Sequence, residues 1–334
     1  MPPGSTSSTS RPDAVVVGAG VVGLTSAVVL ASTGHRVEVW TADDPAATAS
    51  ARAAGVWTPL TLAPLASSLA WAEQSLQDLC GLARVAGSGV RMVEGLTLRP
   101  ADGTVPPLSR LSPDLRDADP DELPEGYTVG QRYRTPVTDM ITYVPWLLRR
   151  LEAYGGRVRR RRVEDLAEPL AVAPVVVNAA GLAAAGLADD PTVRPVFSQY
   201  VVTENPGIDR LLVDTSNPRG WVSIIPHPDR VHLGGVRKAG RTDGRADREL
   251  AADVLRWCRE IEPRLVDARM LRVDAALLPG RPTMRVELER RDDGVVAHAY
   301  GHATAGVTFS WGAAREVARL VGPARRAGTA RAGA

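Results

Sequence analysis

The stretch Asp13–Trp40, DAVVVGAGVVGLTSAVVLASTGHRVEVW, sets the reading of everything around it. Ala14–Val17 is an apolar run of the kind a strand carries when both its faces are buried. Gly18, Ala19, Gly20 and Gly23 then stand at the G-x-G-x-x-G spacing. An apolar helical segment follows over Val21–Thr33 and Gly34 closes it, before a second strand at Arg36–Trp40. At this spacing Gly18 allows a tight turn, Gly20 lets backbone approach a pyrophosphate, and Gly23 lets helix and strand come close. The helix start offers unpaired N–H groups and the positive end of its dipole, which suits phosphate. The stretch predicts a βαβ unit that binds a dinucleotide, NAD and FAD being equally compatible with it.

The totals bound what surrounds that unit. A chain of 334 residues is long enough for a sizeable core and two lobes. Its 44% hydrophobic and 23% charged residues are those of an ordinary globular protein. A net charge of +2 with mixed signs gives no case for nucleic acid. Two cysteines, Cys80 and Cys258, with no CxxC, argue against a disulfide scaffold or a structural zinc. The start MPPGSTSSTSRP lacks the apolar core of a secretory signal, and no apolar run approaches a membrane span. The expectation is a cytoplasmic protein with no membrane partner.

Beyond Trp40, an acid that would bind ribose hydroxyls must be Asp43 or Asp44. The loop Ser50–Trp57, SARAAGVW, is rich in small residues, which permits close approach to a planar ligand or simply a compact turn. Residues 66–87 and Thr138–Tyr154 read as helices, and 88–127 as a lobe inserted into the nucleotide-binding sheet. The basic run Arg157–Arg162 has no interleaved aromatics and reads as a solvated strand. PVVVNAAG (Pro174–Gly181) reads as a buried strand ending in small residues. Phe197–Thr203, Gly220–Ile225 and Arg230–Val236 predict an antiparallel sheet covering the cofactor from the far side. Arg248–Ile261 reads as a helix, and Arg269–Ala276 and Val295–Tyr300 as strands. Gly301–Gly306, GHATAG, then leads into a helix over Val307–Leu320, a second helix N-terminus that can address the same cofactor.

In order and spacing these pieces resemble the D-amino acid oxidase family of FAD-dependent enzymes. The landmarks are VVVGAGVVGL (Val15–Leu24), AAGVWTP (Ala53–Pro59), VNAAG (Val177–Gly181), RGWVSIIP (Arg219–Pro226), LGG (Leu233–Gly235), RPTMRVELE (Arg281–Glu289) and YGHATAGVTFSWG (Tyr300–Gly312). The resemblance implies an α/β fold in which a Rossmann-like FAD-binding domain interlocks with an antiparallel substrate domain. The expected division is 12–65, 140–194 and 270–325 for FAD, 66–139 and 195–269 for substrate, with disordered tails at 1–11 and 326–334.

It also implies the chemistry: a D-amino acid or related amino-carboxylate loses hydride to flavin, O2 accepts the electrons as hydrogen peroxide, and the imino acid hydrolyses to a 2-oxo acid and ammonia. No general base is needed, because the cofactor carries the chemistry and the protein supplies alignment. By family position Arg281 grips the substrate carboxylate, a backbone carbonyl at Thr304 holds the amine, and Ser223 stands beside the substrate. FAD contacts are expected at Gly18, Ala19, Gly20, Val22, Gly23, Asp43, Ala53, Ala54, Gly55, Val163, Gly181, Gly301, Gly306, Val307 and Thr308. A homodimer is compatible with the family.

The chain also departs from the family pattern. Ala303, Thr304 and Ala305 stand where Gly-Gly-Tyr is usual; Trp221, Val222 and Ser223 where tyrosines contact substrate; and Phe197, Ser198 and Gln199 near an expected Arg-Gly-Gln. These changes raise a specialised amine or imino-acid oxidoreductase of secondary metabolism, or a flavoprotein that has lost oxidase activity, as alternatives. A flavin monooxygenase or NAD-dependent dehydrogenase would share only the opening motif, and the absence of a second G-x-G-x-x-G argues against a nicotinamide site.

Overall fold

The structure, a computed structural model, describes residues 11–58, 60, 62–100, 106–217 and 222–331. The chain opens with β1 (Ala14–Val17), α1 (Val21–Ser32) and β2 (Val37–Thr41), followed by α2 (Leu65–Leu82), β3 (Val90–Leu98), β4 (Arg116–Asp117) and β5 (Gly130–Thr138). Then come α3 (Met140–Ala153), β6 (Arg157–Arg160), α4 (Ala167–Leu170), β7 (Val175–Asn178), α5 (Ala184–Leu187), β8 (Arg194–Glu204), β9 (Leu211–Asp214) and β10 (Val222–Pro226). The last part holds β11 (Arg230–Ala239), α6 (Arg248–Ile261), β12 (Met270–Gly280), β13 (Arg285–Arg291), β14 (Gly294–Tyr300) and α7 (Gly306–Arg331).

Among the described residues the strands form two sheets. The first has the order β13-β14-β7-β1-β2-β6, parallel except where β13 runs antiparallel to β14. The second, β12-β8-β11-β10-β9-β3-β5-β4, is antiparallel apart from the β3–β9 pair. Strand β1 shows why its run is apolar throughout. Ala14 and Val16 pack among the helices α1, α2, α3 and α7 on one face. Val15 and Val17 join Trp40, Leu166 and Leu170 on the other. A central parallel strand has no wet face, so alternation disappears. In the antiparallel sheet, Val201, Ile224 and Leu233 pack under Leu250, Val254 and Cys258 of α6, which leaves the opposite face for the site.

Several boundaries differ from expectation. Strand β12, placed by sequence in the FAD domain, belongs to the antiparallel sheet, where it pairs along β8. Helix α2, assigned to the substrate lobe, buries Ala72, Leu76 and Leu79 in the core shared with α1 and α7. Both are amphipathic or half-exposed segments whose partner is chosen by the tertiary fold, not by local pattern. Helix α7 continues to Arg331, past the expected tail boundary at 326, through a segment rich in the strong helix formers Ala and Arg. The expected N-terminal tail through residue 10, and Arg219, Gly220 and Trp221 of the RGWVSIIP landmark, lie outside the described residues. Among the described residues no helix is long and apolar enough to cross a membrane.

Candidate active site

A cavity of about 470 Å³ opens where the C-terminal ends of the parallel strands meet the uncovered face of the antiparallel sheet. Crevices at this edge of a doubly wound sheet are where ligands bind. On the parallel side, Gly18 sits at φ +108°, and a Cβ there would lie 2.4 Å from the Ala179 carbonyl oxygen. A Cβ at Gly23 would lie 2.0 Å from the Gly18 carbonyl oxygen. Bare backbone is therefore the condition for β1, α1 and the end of β7 to meet. Gly20 is the N-cap of α1 and supplies no side-chain cap; the Val21 N–H donates instead to Ser50 Oγ at 2.9 Å.

The start of α7 reaches the same place, since a Cβ at Gly306 would stand 3.3 Å from Val21 Cγ1. Neither helix carries an acidic residue in its first turn. Two positive dipole ends thus converge on one wall of the cavity. Arg52, Arg161 and Arg162 line this end, and the Arg161 guanidinium lies 4.1 Å from the centre of the Trp40 ring. Of the two candidate acids, Asp43 lines the cavity, whereas Asp44 caps a short turn by accepting from Ala46 N–H at 2.8 Å.

The floor is a face of the second sheet. Leu211 and Val213 of β9, Ser223 and Ile225 of β10, and Ser198 and Tyr200 of β8 line it with alternate residues, and β12 lines it with the unbroken run from Asp274 to Pro279. Arg237 of β11 lines it too, and the pairing shows how: Gly234 stands opposite Tyr200 but Val236 opposite Gln199, so Gly235 is the extra residue of a bulge. The bulge turns Arg237, opposite Ser198, onto the cavity face. Arg237 keeps an exposed surface, yet desolvation lowers its pKa from the usual arginine value, with Tyr200 opposing. Asp274, opposite Tyr200 on β12, accepts from Arg272 Nε at 2.9 Å.

The expected site residues divide between the cavity wall and its support. Gly18, Ala19, Gly20, Val22 and Asp43 line the cavity, as do Ala53, Ala54 and Gly55 of the small-residue loop. Val163, Gly181, Gly306, Val307, Ser223 and Thr304 line it also. Ser223 Oγ donates to the Gly234 carbonyl at 2.6 Å, so it holds the bulge that turns Arg237 inward. Ala303 adopts φ +47°, a left-handed conformation that a side chain resists. Gly23, Gly301 and Thr308 are not in the wall. Gly23 serves the helix–strand contact, a Cβ at Gly301 would stand 2.9 Å from Arg281 Cβ, and Thr308 Oγ1 donates to the Thr58 carbonyl at 3.2 Å.

Arg281, expected to grip a carboxylate, is also outside the wall. Its Nε donates to Asp190 at 2.9 Å and its Nη1 to the Thr283 carbonyl and hydroxyl at 2.7 and 2.8 Å. Asp190 also accepts from Tyr300 and Thr192, and its carboxyl is held well below the usual range against the burial that opposes it. The guanidinium already has its carboxylate inside the protein. The residue that sequence missed is Arg237, because simple alternation along β11 from the buried Val231 and Leu233 points it toward α6. The available signal was the Gly234–Gly235 pair, since consecutive glycines in a strand mark a bulge.

An elongated anionic cofactor fits this cavity. Its glycines leave the backbone bare, two helix starts face it, and arginines gather at one end. His302 is also buried in the wall, its Nε2 has no hydrogen-bond partner among the described residues, and burial pushes its pKa down to about 4. Such an orphaned ring nitrogen suits a polar group supplied by a ligand.

The model of the family described as DAO, FAD dependent oxidoreductase, matches residues 13–320. A D-amino-acid oxidase of Streptomyces coelicolor is 44% identical over 315 residues, covering 92% of this chain and 96% of that protein. A D-amino-acid oxidase of Rubrobacter xylanophilus is 41% identical over 314 residues, covering 93% and 96%. Among solved structures, glycine oxidase from Geobacillus kaustophilus superposes with a TM-score of 0.80 over 94% of this chain and 95% of that one, and its 20% identity makes this a likeness of fold alone.

Proposed function

This chain belongs to the DAO family of FAD-dependent oxidoreductases, and we propose that it oxidises the Cα–N bond of a D-amino acid or related amino-carboxylate to an imino acid. A bound FAD would supply the two-electron acceptor for the α-hydride, with O2 as the proposed final acceptor and hydrogen peroxide as its product. The released imino acid hydrolyses to a 2-oxo acid and ammonia. The observation that carries this reading is Arg237 on a largely apolar floor, facing a wall of two helix N-termini across one cavity.

The protein's part is alignment. Arg237 binds the substrate carboxylate through its planar fork, and the Thr304 carbonyl accepts from the neutral amine. Leu211, Val213, Ile225 and Leu278 exclude water around the α-carbon. The start of α7 favours negative charge that develops beside it. Neither a catalytic base nor a metal is called for by this scheme. The alternative of a narrower, non-standard amino-carboxylate draws support from Ala303 and Thr304, whose side chains alter the clearance of the loop.

The test is anaerobic. Yellow holoprotein should bleach when mixed with a D-amino acid, keep its colour with the L-enantiomer, and regain it on admission of O2 with release of peroxide. Colour that survives every amino acid, imino acid and amine offered would refute an oxidase. Cytoplasmic location and a homodimer belong to the same proposal; fractionation and size-exclusion chromatography test them.

A further inference from the structure

The cavity loop Ala53–Val56 is fixed to its surroundings in two ways. From Gly55 onward it is stitched to β5: Thr138 N–H donates to the Gly55 carbonyl at 2.5 Å, and Trp57 N–H to the Pro136 carbonyl at 3.1 Å. The Ala54 carbonyl instead meets a side chain of another segment, accepting from His227 Nε2 at 3.1 Å. His227 sits in the turn between β10 and β11, only 1% exposed. Its own backbone is locked, its N–H donating to the Arg230 carbonyl at 2.7 Å and its carbonyl accepting from Asn205 Nδ2 at 2.7 Å. A carbonyl oxygen can only accept, so Nε2 carries the ring proton. Burial, reinforced by Arg230, pushes the His227 pKa down to about 4, and the ring is the neutral donor.

A trans peptide directs its C=O and N–H to opposite sides. With the Ala54 oxygen drawn inward to His227, the N–H of the same peptide unit, that of Gly55, is turned toward the cavity that Ala53, Ala54, Gly55 and Val56 line. Gly55 is restrained on its other side, where its carbonyl accepts from the Thr138 N–H. Its φ of +72°, with a Cβ 1.9 Å from the Thr138 carbonyl oxygen, shows why glycine stands there.

We propose that His227 is a positioning residue for the cofactor: by holding the Ala54 carbonyl it aims the Gly55 N–H as a fixed donor to the flavin. The proposal rests on the reading of this cavity as the FAD site. His227 is not among the residues that line the cavity and acts through one peptide unit.

The experiment compares His227→Leu and His227→Met, which fill the space without a donor, with His227→Gln, whose amide nitrogen can donate from a similar position. Titration of each apoprotein with FAD, followed by flavin fluorescence, gives the dissociation constant, and the visible spectrum of each holoprotein reports the environment of the ring. Loss of one buried donor should weaken FAD binding about tenfold and shift the visible bands in the Leu and Met variants. His227→Gln should return both to within about threefold of the parent. Leu and Met variants with the parental constant and spectrum would overturn the proposal. So would weakened binding that Gln does not restore, because that describes a space-filling role. Parent protein that takes up no FAD overturns the reading of the cavity itself.

Discussion

Arg237 is on the cavity face because Gly235 adds one residue against β8, and in a strand one residue reverses every side chain beyond it. Arg281, just past β12, is withheld from the cavity because it spends its guanidinium on Asp190 and Thr283. The two substitutions should therefore separate. Arg237→Met is expected to raise KM for a carboxylate substrate by about 10- to 100-fold, the scale of a charge-assisted hydrogen bond, with the flavin spectrum intact. Arg281→Met should leave KM within about threefold and instead lower stability by roughly 2 kcal/mol, read as a drop in Tm. The reverse pattern, KM rising with Arg281 and unmoved by Arg237, would return the carboxylate to the position that sequence favoured. The motif RPTMRVELE was legible; the ion partner of its first arginine, 91 residues away at Asp190, was not.

At the scale of elements, the start of α1 and the start of α7 act as one device. They come from opposite ends of the chain, and Gly306 and Val21 bring them into contact. Each was legible by itself: small residues after an apolar strand, then a helical apolar period. Gly20→Val tests the first. A Cβ there already stands 3.1 Å from Ser50 Oγ, and the branched methyls would occupy the N-terminal end of the helix. FAD uptake should fall by more than about 100-fold while the far-ultraviolet circular dichroism is kept, since the opening helix is buried by side chains on its other faces. Normal holoprotein formation would show that the turn does not cradle the pyrophosphate. Strand β13 was less legible because its residues are partly exposed and charged, and β5 because its buried positions include the polar Gln131, Thr135 and Thr138 and the strand-averse Pro136.

For the whole molecule, burial of histidine contributes to the response to mild acid, above the range in which the carboxylates titrate. All five histidines are buried, between 0% and 7% exposed. Burial lowers the pKa of His227 and His302 to about 4, that of His232 well below its ordinary value, and that of His298 below its ordinary value. Their folded values lie below the unfolded value of about 6.5, so the stability they contribute is complete above that pH. It is lost as pH falls toward about 4, and every tenfold difference in proton affinity between the folded and unfolded chain corresponds to about 1.4 kcal/mol. Urea midpoints should drop markedly between pH 7 and 4.5 at constant m-value; a flat midpoint over that window would mean these rings charge without cost. By itself the sequence determined the βαβ start and the second helix N-terminus, because those depend on spacings of a few residues and on local hydrophobic period, and its motifs carried the resemblance to the family. Tertiary structure alone decided which sheet receives β12, which arginine faces the cavity and which histidine turns the Ala54 peptide. Those outcomes depend on strand register and on charge partners distant in sequence, which no local pattern encodes.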